Sequence, residues 1–201
     1  MKHLFFLLSF VTFFSFQLTL TAQESTKDSD YLTRHAIYDY DANAISNTDS
    51  IPDLESKHER FKLTGTIYLS DGVTPAKDVI LYIEQPDEKG NYEMKKRDGK
   101  RYVHHRAWVK TDADGRYTFY TFMPGNYHRR GEFKHIHPVV KEEGKQAYAL
   151  DAFLFDSDVS LSNYCRKRLT KKGMDNVLTI EEKDQTFVAT KDIVLKADTE
   201  L

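Results

Sequence analysis

The stretch Ala107-Trp-Val-Lys-Thr-Asp-Ala-Asp-Gly-Arg-Tyr-Thr-Phe-Tyr-Thr-Phe122 decides the fold class. Arg116 to Phe122 alternates in the period of two that a half-buried strand requires. Ala107 to Thr111 reads as a second strand, and Asp112-Ala-Asp-Gly115 between them is turn chemistry. A hairpin over residues 107–122 is therefore predicted. Working outward, Phe61-Lys-Leu-Thr-Gly-Thr-Ile-Tyr-Leu69 alternates in the same way, with Gly65 predicting a bulge. Ser70 to Pro75 and Pro86 to Gly90 are turns that flank the apolar run Val79 to Ile83. His135 to Val140, Ala149 to Phe155 and Ile193 to Leu195 read as further strands, and only Leu161 to Lys171 looks helical. Many short strands separated by turns predict an all-β fold, a β-sandwich of two mostly antiparallel sheets.

Upstream of residue 61 the pattern changes. Lys2 and His3 precede an apolar run from Leu4 to Phe16, which softens to Ala22 and turns polar at Glu24. A basic start, an apolar core and a small residue before a polar stretch predict a signal peptide over residues 1–22. The run falls short of the roughly 20 apolar residues of a comfortable span, so no stable membrane insertion is expected after its removal. The chain is expected to be exported, to periplasm or medium. Residues 23–60 are polar with scattered Tyr31, Tyr38 and Tyr40, and read as a leader or arm with a short helical turn near Leu54 to Arg60. Residues 61–201 form the sandwich domain. With 29 basic and 31 acidic residues the net charge is −2, which gives nucleic acid no basic footprint. Cys165 is the sole cysteine, so an intrachain disulfide is excluded, and it reads as structural.

Chemistry-bearing residues cluster after the strands. In His135-Ile-His137 the imidazoles share one face of a strand, their Cα atoms roughly 6–7 Å apart, within reach of one metal ion. Ile136 packs on the opposite face. Tyr127, in Met123-Pro-Gly-Asn-Tyr127, and Tyr92, in Lys89-Gly-Asn-Tyr92, each lie just past a strand on a loop, where sites tend to form. His104 and His105 are adjacent and are expected to point to opposite faces of a strand, at the rim of the pocket. A zinc or copper site built on the histidine pair alone is an alternative use of His135 and His137.

The ordered combination resembles the intradiol ring-cleavage dioxygenases, the family of catechol and protocatechuate dioxygenases. It runs from Leu63 to Asp158: Gly-x-Tyr at residues 90–92, Thr111-Asp-Ala-Asp-Gly-Arg-Tyr-Thr-Phe119, Pro124-Gly-Asn-Tyr127, His135-Ile-His137 and Phe153-Leu-Phe-Asp-Ser-Asp158. The resemblance implies a non-haem Fe(III) held by Tyr92, Tyr127, His135 and His137, with Tyr127 and His137 axial and Tyr127 also acting in catalysis. It implies a small-molecule catechol and O2 as partners, and ring cleavage between the two hydroxyls to muconate-type diacids. A phenolate is a hard anionic donor, and a trivalent cation lowers its proton affinity far below the free value of about 10. The sequence departs from the family where an arginine precedes the histidines: Glu132 stands three residues before His135, and Arg130 or Lys134 is expected to replace that arginine. The glutamine of the later strand is also missing, Asp151-Ala-Phe153 taking its place. A non-catalytic exported β-sandwich binding module is the alternative reading.

Overall fold

A computed structural model describes residues 29–126 and 131–197. The expected signal peptide over residues 1–22 lies outside the described residues, as do Tyr127 and Arg130. The strands are β1 (Thr48–Ser50), β2 (Arg60–Tyr68), β3 (Ile80–Glu84), β4 (Met94–Arg97), β5 (Lys100–Val103), β6 (Arg106–Lys110) and β7 (Arg116–Phe122). They continue with β8 (His135–Lys141), β9 (Tyr148–Ala149), β10 (Phe153–Phe155), β11 (Val177–Leu178), β12 (Glu181–Lys183), β13 (Thr186–Thr190) and β14 (Ile193–Val194). Among the described residues there is one α-helix, α1 (Asn163–Lys171), capped by Ser162, whose Oγ accepts from the Cys165 amide at 3.3 Å.

One sheet runs β1-β7-β2-β13-β12, with β14 also on β2; the other runs β11-β10-β8-β3-β6, with β9 on β8. Their inner faces interlock. Phe61, Leu63 and Ile67 from β2 and Tyr117 and Phe119 from β7 meet Leu81, Ile83, Val109, Ile136 and Val140 from the second sheet. Each side chain so buried contributes roughly 1.5–3 kcal/mol, and the alternation of β2 and β7 exists to supply this face.

The structure corrects three expectations. The sheets are mixed: β1 pairs β7, β13 and β14 pair β2, and β11 pairs β10, all in parallel. Alternation fixes which face is buried and leaves strand direction to the long connections, which return β13 alongside β2 after crossing the other sheet. Residues 107–122 are not a hairpin: β6 pairs β3 while β7 pairs β2 and β1. Asp112-Ala-Asp-Gly115 arches between the sheets, so the two strands face each other through the core instead of sharing a ladder. Gly65 marks no bulge either, the β2–β7 register being continuous from Arg60↔Phe122 to Thr66↔Arg116. A Cβ on Gly65 would stand 2.0 Å from the Lys191 carbonyl oxygen, so glycine there permits the close passage of the β13–β14 connection.

The arm is packed from its first described residues. Ile37, in a 3-10 turn over Ala36–Tyr38, is fully buried on the outer face of the β3–β6–β8 sheet against Ile80, Tyr82 and Val139. Lys100 on β5 is buried and binds Asp39 of the arm at 2.6 Å, while Arg34 reaches the same carboxylate at 3.0 Å. Lone aromatics in a polar stretch carry no period, so this packing leaves little trace in the sequence.

Candidate metal centre

Strand alternation sets the first two donors. His135 and His137 lie on the outer face of β8, their rings 4.6 Å apart and edge to face, while Ile136 is buried in the core. Cross-strand registry adds Glu84 opposite His137 and Arg106 opposite Glu84, and Leu154 on β10 opposite His135. A row that includes two imidazoles, a carboxylate and a guanidinium thus crosses the end of the sheet.

Tyr92 arrives from the loop after β3. Asp87 builds that turn by accepting from the amides of Lys89 and Asn91, both at 2.8 Å, and Gly90 supplies a positive φ of 82°. The Tyr92 hydroxyl ends 2.8 Å from His135 Nε2. His135 Nδ1 lies 2.6 Å from the Phe133 carbonyl, which can only accept. In the neutral ring Nδ1 therefore carries the proton, and Nε2 presents its lone pair to Tyr92. Burial raises the Tyr92 pKa well above the ordinary phenol value, and the carboxylates of Glu84 and Glu132 raise it further. His137 is held below the usual imidazole range, first by desolvation and then by the neighbouring His135.

The second tyrosine loop is locked to the first. The Gly125 amide donates to the Asp87 carbonyl at 2.9 Å, and a Cβ on Gly125 would lie 2.3 Å from the Glu88 carbonyl oxygen and 2.6 Å from the Gly90 nitrogen. Glycine in Pro-Gly-x-Tyr is thus what allows the two loops to touch. Asp158, buried, grips both sides of residues 127–130: its Oδ2 accepts from the Lys134 amide at 2.7 Å, and Asn126 Nδ2 donates to Ser160 Oγ at 3.2 Å and reaches Asp158 Oδ1 at 3.5 Å.

Of the site residues expected from sequence, the structure brings Tyr92, His135 and His137 together; Tyr127 and Arg130 lie outside the described residues. The three open onto a pocket of about 410 Å³ whose walls include Glu132, Phe133, Ala152 and Leu154. Glu132, not Lys134, lines it. A larger cavity of about 590 Å³ lies beside the arm, lined by Asp30, Arg34, His35, Tyr38 and Tyr148 among others. Sequence reasoning passed over Glu84 and Arg106, and gave no role to Asp158, the last residue of the Phe153-to-Asp158 motif. It also passed over Asp98-Gly99, whose φ values of 50° and 87° make the tight turn of the β4–β5 hairpin beyond Tyr92, although Asp-Gly is a strong hairpin signal.

Phenol oxygen, imidazole lone pair and second imidazole suit a hard trivalent ion such as Fe(III). The neutral tautomer fixed by the Phe133 carbonyl is the one a ligating histidine needs.

Solved structures place the fold. The dioxygenase domain of a dioxygenase–carbohydrate-binding protein fusion from Streptomyces sp. SirexAA-E superposes with a TM-score of 0.57 at 21% identity, over 73% of this chain and 85% of that one. An intradiol ring-cleavage dioxygenase from Tetranychus urticae gives 0.56 at 20%, over 75% and 85%. Catechol 1,2-dioxygenase from Pseudomonas arvilla C-1 gives 0.57 at 16%, over 77% of this chain and 58% of that one. No family model and no curated protein matches the sequence. The chain has the β-sandwich fold of the intradiol dioxygenases.

Proposed function

We propose that the chain is an exported, iron-dependent dioxygenase that uses O2 to open catechol-type rings between their two hydroxyls. The supporting observation is the 2.8 Å approach of the Tyr92 hydroxyl to His135 Nε2, with Nδ1 already engaged by a carbonyl. Tyr92, His135 and His137, joined by Tyr127 from the adjoining loop, would hold Fe(III). When bound, that ion supplies Lewis acidity and a template for catechol and O2.

The chain's own residues do the rest. Without a cation Tyr92 is a neutral phenol that donates to His135, since burial and two carboxylates raise its pKa. Its proton must leave when a trivalent cation takes the oxygen, so iron uptake releases a proton and tightens as pH rises. The Phe133 carbonyl keeps the His135 ring in register. Phe133, Ala152 and Leu154 give the pocket an apolar wall for an aromatic ring. Tyr127 is proposed to accept a catechol proton, and Arg130 to balance charge developing on the ring.

The test is spectral and kinetic. Iron-loaded protein should be red-brown from tyrosinate-to-iron charge transfer and should consume O2 with at least one member of a catechol panel. Tyr92→Phe and Tyr127→Phe should each bleach or shift the colour, and Tyr92→Phe should lower O2 uptake by more than the roughly 100-fold that loss of a supporting residue costs. Colourless protein holding stoichiometric iron, or protein that takes up none, would reject the proposal. Export is supported by the basic, apolar and polar succession of residues 1–30. Recovery of the chain from the cytoplasm with Met1 intact would reject that part. Among the described residues no helix is long and apolar enough to cross a membrane.

A further inference from the structure

The corner between β5 and β6 gathers donors that the proposed reaction does not use. Sequence reasoning placed His104 and His105 on opposite faces, but they sit on a bend between the strands, and their rings lie 5.2 Å apart. Asp53, held at φ 63° just before the 3-10 turn Leu54–Ser56, brings Oδ2 to 2.6 Å from His104 Nε2. His105 is 1% exposed and packs edge-on against the Phe122 ring, 5.0 Å between centroids. One ligand atom from each of Asp53, His104 and His105 lies within 4.8 Å of the other two. Donors on a tetrahedral ion with bonds of about 2.0–2.1 Å stand roughly 3.3 Å apart, so small side-chain rotations close the difference.

A second feature separates this cluster from an ordinary ion pair. His105 Nδ1 is buried and meets no hydrogen-bond partner among the described residues, although leaving a buried polar atom unpaired costs about 1–3 kcal/mol. His105 Nε2 is 4.0 Å from Glu93 Oε2, and the His104 amide donates to the Glu93 carbonyl at 2.8 Å. Nearby cations are already engaged: Lys57 pairs with Glu88 at 3.0 Å and Lys95 with Glu93 at 2.6 Å.

We propose that Asp53, His104 and His105 form a second metal site for a borderline divalent cation such as Zn²⁺, separate from the tyrosine–histidine centre. Imidazole nitrogen with one carboxylate is a zinc-type donor set, its fourth position left to water or to Glu93. The ion would staple the segment that leads into β2 onto the base of the β4–β5 hairpin. That base also carries Tyr92, so the bound cation would brace the loop of the first site without touching substrate. Binding only the folded chain, it would raise stability in proportion to the logarithm of free metal over Kd.

The experiment titrates zinc into the full chain and follows heat of binding and melting temperature. Two variants, Asp53→Asn and His104→Ala, remove accessible or half-buried donors and leave the buried His105 in place. A third, His137→Ala, disables the proposed iron centre. Zinc should bind wild type and His137→Ala alike and raise the melting temperature of both. Asp53→Asn and His104→Ala, each made in the His137→Ala background, should weaken binding at least about tenfold and lose the thermal shift. Zinc binding that persists in both of those variants, that vanishes in His137→Ala, or that is absent from wild type at micromolar free metal would overturn the assignment. Because the His137→Ala arm reports on this site alone, failure of the iron proposal leaves the result readable.

Discussion

The outer face of the β3–β6–β8 sheet has two ends that share the same three strands and meet different fates. At one end Ile80, Tyr82, Trp108 and Val139 lie under the arm: Ile37 is sealed against them, and Trp108 Nε1 donates to the Ala36 carbonyl at 3.0 Å. Two residues further along, Glu84, Arg106 and His137 lie beyond the arm: His137 is exposed and Glu84 half-buried, while the Arg106 guanidinium stacks on the Tyr102 ring at 3.8 Å. Tyr82 spans the join, its hydroxyl donating to Glu84 Oε2 at 2.6 Å. The alternation that places a side chain on this face is identical at both ends. What differs is the cover. The arm makes one end a second small core, whereas the paired glycines of the two tyrosine loops hold the other open beside three metal-type donors. A sheet face becomes a site where the chain declines to bury it.

That contrast can be broken from either side. The largest effect on activity is expected from Gly125→Ala, whose Cβ has no room against Glu88 and Gly90. Moving the tyrosine loops apart by about 1 Å should lower catechol-dependent O2 uptake roughly 100-fold, while circular dichroism and sheet content are unchanged. Asp39→Ala acts at the covered end, leaving the buried Lys100 ammonium without its 2.6 Å partner. Denaturant unfolding should show a loss of about 3–5 kcal/mol, with iron binding per folded molecule retained. Ile37→Ala should remove about 2–4 kcal/mol by the same measurement, through a cavity beneath the arm. If either arm variant instead abolished iron binding at full folding, the two ends would not be independent. The smallest effect concerns a turn remote from both. Asp71 Oδ1 accepts from the Val73 and Thr74 amides, both at 2.9 Å, and the Thr74 hydroxyl bond, with these amides, holds its carboxyl below the usual range. A folded pKa below the unfolded one contributes stability that is present above the unfolded value of about 3.9 and lost as pH falls through the folded one. Asp71→Asn should therefore lower stability slightly at neutral pH and leave it unchanged below the folded pKa, so that the two curves converge in acid and the acid limb of the variant is flatter.

The elements legible in the sequence were those with a strong local period. Arg116 to Phe122 appears as the strand expected, Phe61 to Leu69 and Val79 to Ile83 lie within one residue of β2 and β3, and the helix at Leu161 to Lys171 begins two residues late behind its serine cap. Missed were β1, β4, β5, β11 and β12, short or polar strands with little alternation to read, and also β13, five residues of strand-forming Thr-Phe-Val-Ala-Thr. Strand partners were not legible. The predicted hairpin failed because an arch between sheets and a turn within one use the same Asp-Ala-Asp-Gly chemistry. In the site, His135 and His137 were placed on one face by alternation alone, and the convergence of Tyr92 on them was implied only by resemblance. Asp158 as a clamp and Glu84 as the carboxylate beside His137 had no local signature, since each acts on residues distant in the chain.

By itself the sequence determined what period-two alternation and motif order can encode: an all-β chain, the buried face of each strong strand, and a pair of histidines pointing the same way. The tertiary structure decided the rest. It set the parallel partners of β2, the passage of the arm over one end of a sheet, the touching of Gly90 and Gly125, and the meeting of Asp53 with His104 and His105. The physical reason is range. A side chain's facing follows from the two residues on either side of it, whereas what covers that face, and which donors reach it, is fixed only when segments tens of residues apart are packed against one another.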